Sequence, residues 1–192
     1  MSIKNNPLVK PSPHKYGAVS FDEIKQKHFI PALEYAIKDA EKILAEVKNN
    51  TDAANFENTS LPMETCSELM GTIAHTYFNL MSAESDNDFK ELAQQISPKL
   101  SAFSNNIHLD SKLFEKVKHL YENMDTENLN AEQKRLVSES YKGFTLNGAL
   151  LNDEDKEKVR KIDKELSKLS PKFSQNTLNA TNEYTYYTED ES

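Results

Sequence analysis

From residue 21 onwards, apolar residues recur at intervals of three and four, the spacing that aligns side chains along one face of an α-helix. Ile30, Leu33, Ile37, Ala40, Leu44 and Val47 step by 3, 4, 3, 4, 3 and predict a first helix to about Lys48, ended by Asn49, Asn50 and Thr51. Pro31 fits its first turn, where a missing N–H costs nothing. A second helix is predicted from about Thr59 to Met81, capped by Thr59 or Ser60, with Cys66, Leu69, Ile73, Tyr77 and Leu80 on its apolar face. A third, about Asp86 to Ile107, carries Phe89, Leu92, Ile96, Leu100 and Phe103, and Pro98 is expected to kink it.

The fourth is short, with Leu113, Phe114, Val117, Leu120 and Tyr121 behind a cap at Asp110 or Ser111. Asn130 and Gln133 form a capping-box pattern that opens a fifth, carrying Leu136, Val137, Tyr141 and Phe144, with Gly148 near its end. The sixth opens at Asn152, with Asp153, Glu154 and Asp155 at the positive end of the helix dipole. Val159, Ile162, Leu166, Leu169 and Phe173 then form its stripe, and Pro171 is expected to bend this helix or stop it near Leu169.

These periodicities predict an all-α fold, an irregular bundle of about six amphipathic helices with short connections. The proline-rich polar segment 1–20 reads as an extended N-terminal arm, 21–182 as the helical domain, and 183–192 as a linker or the start of a strand. Four glycines in 192 residues agree with long helices and few turns. The net charge of −8, without a basic block, argues against nucleic acid or an anionic membrane as a partner. A single cysteine, Cys66, rules out an intrachain disulfide, and no recognisable secretion signal or membrane span is present. A cytoplasmic location is the expectation.

Residue chemistry alone yields no catalytic, cofactor-binding or metal-binding residue. His14, His28, His75, His108 and His119 include no pair spaced i, i+4, so the His-Glu-x-x-His zinc motif is absent. His75 sits beside the second helix's apolar stripe and reads as a surface or groove histidine, while His108 and His119 read as structural or solvated. Cys66 falls on the core stripe and reads as a small hydrophobe rather than a nucleophile. The alternating charges Asp155, Lys156, Glu157, Lys158, Lys161, Asp163, Lys164 and Glu165 read as a solvated helix face.

Several segments, in order along the chain, carry a family resemblance. They are Asn6-Pro7-Leu8, Phe21-Asp22-Glu23-Ile24-Lys25 and His28-Phe29-Ile30-Pro31-Ala32-Leu33, then Asn55-Phe56-Glu57-Asn58-Thr59. Phe78-Asn79-Leu80 with Ser82-Ala83 and Ile96-Ser97-Pro98-Lys99-Leu100 follow. Then come Leu129-Asn130-Ala131-Glu132-Gln133, Gly148-Ala149-Leu150-Leu151 and Leu169-Ser170-Pro171-Lys172-Phe173. Together they resemble the N-terminal region of the thimet oligopeptidase family of zinc metallopeptidases, with the 11–17 arm leaning towards its peptidyl-dipeptidase branch over oligopeptidase A. Leu146-Asn147, where relatives often carry Arg-Ala, and Pro171, where they usually have a helix former, depart from the pattern.

The resemblance implies a non-catalytic N-terminal domain, part of the wall of a narrow channel admitting short peptides. It places the zinc ligands and the general-base glutamate in a C-terminal catalytic half absent from these residues, which would be this domain's partner. The chain alone is then expected to bind no zinc, to be inactive, and to self-associate through its second and third helices. The alternative is a free-standing helical peptide- or protein-binding module without catalysis.

Overall fold

The computed structural model describes residues 3–83 and 86–187, and among these the regular structure is all helical, with no strand. Four one-turn 3-10 helices, at Ile3–Asn5, Lys15–Gly17, Phe21–Glu23 and Gln26–His28, carry the chain to the first long helix. This segment is pinned by Asn6. Its amide donates to the His28 carbonyl at 2.8 Å while its side-chain oxygen accepts from the Leu8 N–H, which seats Leu8 in the core.

Helix α1 (Phe29–Asn49) runs through the middle and packs on the helices that follow from both directions. Its buried face is Phe29, Ala32, Leu33, Ala36, Ala40, Leu44 and Val47, so the alanines admit close neighbours and Ile30 and Ile37 lie at the edges. The second predicted helix starts earlier than its expected caps and is divided. Asn55 and Asn58 exchange side-chain-to-backbone bonds of 2.9 Å that open a π-type turn at Phe56–Ser60. Helices α2 (Leu61–Thr65) and α3 (Glu68–Ala83) follow. Thr59 and Ser60, the expected caps, are buried inside that turn.

The third predicted helix is also two, α4 (Asn87–Glu91) and α5 (Ala93–His108). The division falls at Leu92, and Pro98 lies inside α5. Asp110 is the cap of α6 (Ser111–Asn123), accepting from the N–H groups of Lys112 and Leu113. The Asn130–Gln133 box opens α7 (Ala131–Leu146) as expected. Asn152 caps α8 (Asp153–Glu183), which passes through Pro171 instead of stopping at Leu169. The chain is irregular at 184–187, and 188–192, the rest of the expected linker or strand, lie outside the described residues.

Two principal clusters form the core. One joins Leu8, Phe29, Leu33, Ile73, Tyr77 and Ile96 across the N-terminal segment, α1, α3 and α5. The other joins Leu44, Phe103, Leu113, Phe114, Val117 and Phe144 across α1, α5, α6 and α7. A smaller one, Phe56, Leu120 and Val137, fixes the π-type turn against α6 and α7. Most of the aromatic and Met side chains of the second and third predicted helices go into these clusters, so they do not form the exposed dimerisation face expected from the sequence. Helix α8 lies outside all three, along α5.

Candidate functional site

The five histidines stand on separate elements. His14, His75 and His119 are exposed, His108 is half-buried and His28 is buried. His28 is structural: its Nδ1 accepts the Lys25 N–H at 3.0 Å. Burial, with Lys27 and Lys25 nearby, holds its pKa below the ordinary value. At His108, Nδ1 lies 3.0 Å from the Ser104 carbonyl and 3.2 Å from the Ser104 hydroxyl, both within its own helix. Its ring lies 5.3 Å from that of Phe144.

Cys66 is buried, with Sγ 3.1 Å from the Met63 carbonyl, and burial pushes its thiol up to about 11. A thiol held protonated at neutral pH is a poor nucleophile. The zinc ion implied by the family resemblance does not fit this donor set. Among the described residues no three His, Cys, Asp or Glu side chains converge to hold a metal.

The unusual surface is on α8. Polar groups join it to α5 and to Ser111 at the start of α6. Lys156, buried despite the solvated reading, donates to Ser111 Oγ at 2.9 Å, and Arg160 donates to Asn106 Oδ1 at 3.2 Å. Gln94 and Ser101 on α5 reach the backbone carbonyls of Lys168 and Asp163. Val159, Arg160, Asp163, Ser167, Pro171 and Gln175 are half-buried along this side of the helix.

The apolar stripe points elsewhere. Ile162, Leu166, Leu169 and Phe173 are 57 %, 51 %, 56 % and 73 % exposed, and Tyr184, Tyr186 and Tyr187 beyond them are exposed too. A single exposed leucine is ordinary, but a continuous stripe at helical spacing is a surface made to be covered. The periodicity marked this stripe, whose first member Val159 is half-buried, but gave no sign that the described residues leave the rest of it open.

Two clefts open along α8. The larger, about 550 Å³, lies where α8 passes the end of α3, α4 and the start of α5, between Met81, Gln94, Pro171, Gln175, Leu178 and Asn179. The smaller, about 290 Å³, lies between Pro98, Ser101, Asn105, Arg160 and Lys164. Neither contains a histidine or the cysteine, so neither supplies a nucleophile–base pair. No described helix is long and apolar enough to cross a membrane.

Comparison with known proteins agrees with this architecture. Residues 33–156, more than half of the chain, match the family model for the N-terminal domain of neurolysin/thimet oligopeptidase. The chain is 30 % identical over 179 residues to the dipeptidyl carboxypeptidase of Salmonella typhimurium, covering 93 % of this chain and 26 % of that protein. It is 26 % identical over 186 residues to oligopeptidase A of Escherichia coli, covering 97 % of this chain and 27 % of that protein. A probable cytosolic oligopeptidase A of Arabidopsis thaliana is 22 % identical over 183 residues, 95 % of this chain and 25 % of that protein. The chain spans about a quarter of the length of the relatives it matches. This chain therefore belongs to the neurolysin/thimet oligopeptidase family, to which it corresponds through the N-terminal domain.

Proposed function

We propose that this chain is the non-catalytic N-terminal domain of a zinc-dependent oligopeptidase of the peptidyl-dipeptidase or oligopeptidase A type. Its role is to form part of the wall of a channel that admits short peptides, while a C-terminal catalytic portion supplies the zinc and the hydrolytic groups. The observation that carries this reading is coverage: nearly the whole chain aligns with peptidases four times its length. No chemical step is assigned to these residues.

The contribution of such a domain is shape and rigidity. The two core clusters hold α1, α3, α5, α6 and α7 as one body, and α5 carries α8 on its outer side through polar contacts. Excluding folded proteins from a channel needs a wall that does not yield, which a packed helical layer provides. A cytoplasmic location belongs to the same reading; of two Arabidopsis relatives, one is named cytosolic and the other organellar.

The test is a chimera in which this chain replaces the matched quarter of the Salmonella dipeptidyl carboxypeptidase. Release of dipeptides from a short peptide by the chimera, with none from the isolated chain supplied with zinc, is the expected result. An inactive chimera that is fully folded, or hydrolysis by the isolated chain, overturns the reading.

A further inference from the structure

The geometry points to the outward stripe of α8, Ile162, Leu166, Leu169 and Phe173, as the surface on which the catalytic portion of the peptidase packs; this rests on the function proposed above. The stripe cannot turn inwards to be covered by its own chain. The opposite side of α8 is already engaged through Lys156 with Ser111, Arg160 with Asn106, and the Gln94 and Ser101 bonds to the α8 backbone. Rotation of the helix would break these bonds and leave the Lys156 ammonium, now buried, without its hydroxyl partner.

The spacing of the stripe is 4, 3, 4, the seam that a facing helix or a layer of side chains fills. All four side chains are more than half exposed, and Tyr184, Tyr186 and Tyr187 beyond the helix are exposed as well. Relatives of which this chain spans about a quarter carry further sequence beyond a domain that is N-terminal in the family. The occupant is therefore a further stretch of the same enzyme rather than a second copy of this domain.

The experiment uses Leu169→Cys in the isolated chain and in the Salmonella chimera, with alkylation by iodoacetamide followed by mass spectrometry of the peptide that carries the site. Cys66 is buried and contributes only background. Alkylation at position 169 is expected to be at least ~10-fold slower in the chimera than in the isolated chain, as a fully covered interface position requires. Equal rates in the two proteins overturn the proposal, whether or not the chimera hydrolyses peptides. Slow alkylation in the isolated chain that quickens on dilution also overturns it, because the occupant is then a second copy. Loss of activity with protection at 169 intact overturns the functional reading and leaves the packing surface standing. Circular dichroism of the variant, substituted at an exposed position, separates these outcomes from misfolding.

Discussion

The hydroxyl of Tyr77 on α3 donates to the carbonyl of Phe89 on α4 at 2.8 Å, and the two rings stack with centroids 5.0 Å apart. Phe29, at the start of α1, packs edge-on against both rings. Three elements thus meet at one buried tyrosine, whose phenol burial pushes up to about 12. Tyr77→Phe keeps the packing and removes only the donor. It is expected to cost about 1–2 kcal/mol, read as a lower urea midpoint at unchanged slope. Tyr77→Ala also opens a cavity and is expected to cost about 3–5 kcal/mol.

His28 makes stability depend on pH. Its Nδ1 accepts from Lys25 only while unprotonated, and its folded pKa lies below the ordinary 6.5. The unfolded chain therefore takes up the proton first. This stabilisation is complete above about pH 6.5 and is lost as the pH falls through the folded value. The Asn6–His28 contact ties the N-terminal segment to the same spot, so this segment is expected to become protease-sensitive over that range. In His28→Gln the pH dependence should flatten, measured by urea unfolding between pH 5 and pH 8.

Asp110 combines a helix cap with an ion pair. Burial alone would raise its pKa, but the Leu113 N–H, the Lys48 ammonium at 3.0 Å and the Lys112 N–H together hold it below the ordinary carboxylate value. The resulting stability is present above about pH 4 and is lost as the pH falls through the folded pKa. Asp110→Ala removes both functions and is expected to cost about 1–2 kcal/mol. Asp110→Asn keeps the cap and should cost less, a ranking that thermal unfolding at neutral pH checks.

Gly148 ends α7 with φ +97°, the Ala149 N–H bonding the Phe144 carbonyl at 3.0 Å and the Gly148 N–H bonding that of Thr145. An added Cβ would sit 2.9 Å from Leu151 Cδ1 and 3.2 Å from Leu109 Cδ2. Gly17, at φ +70°, has open space around it. Gly148→Ala is expected to cost about 1–3 kcal/mol and Gly17→Ala distinctly less, since only the former adds crowding to backbone strain. Calorimetric midpoints of the two variants give the comparison.

The sequence by itself determined what depends on neighbours along one helix. The all-α class, the caps at Asp110, Asn130 and Asn152, and the stripes of α1, α6 and α7 follow from residues three or four positions apart, whose interactions do not require the rest of the fold. The order of the resembling segments along the chain likewise pointed to the family. Helix breaks were less legible. The reciprocal bonds of Asn55 and Asn58 start the second helical region before Thr59, and the α4–α5 division falls at Leu92 rather than Pro98.

Only the tertiary structure decided which side of α8 is covered. Periodicity marks where apolar side chains gather on a helix but carries no information about what lies opposite them. Here the bonds from Lys156, Arg160, Gln94 and Ser101 join the polar side to the bundle, and the apolar stripe of Ile162, Leu166, Leu169 and Phe173 is left facing out. The candidate interaction surface arises from that choice of side, which depends on contacts between residues 45 to 74 positions apart in the chain.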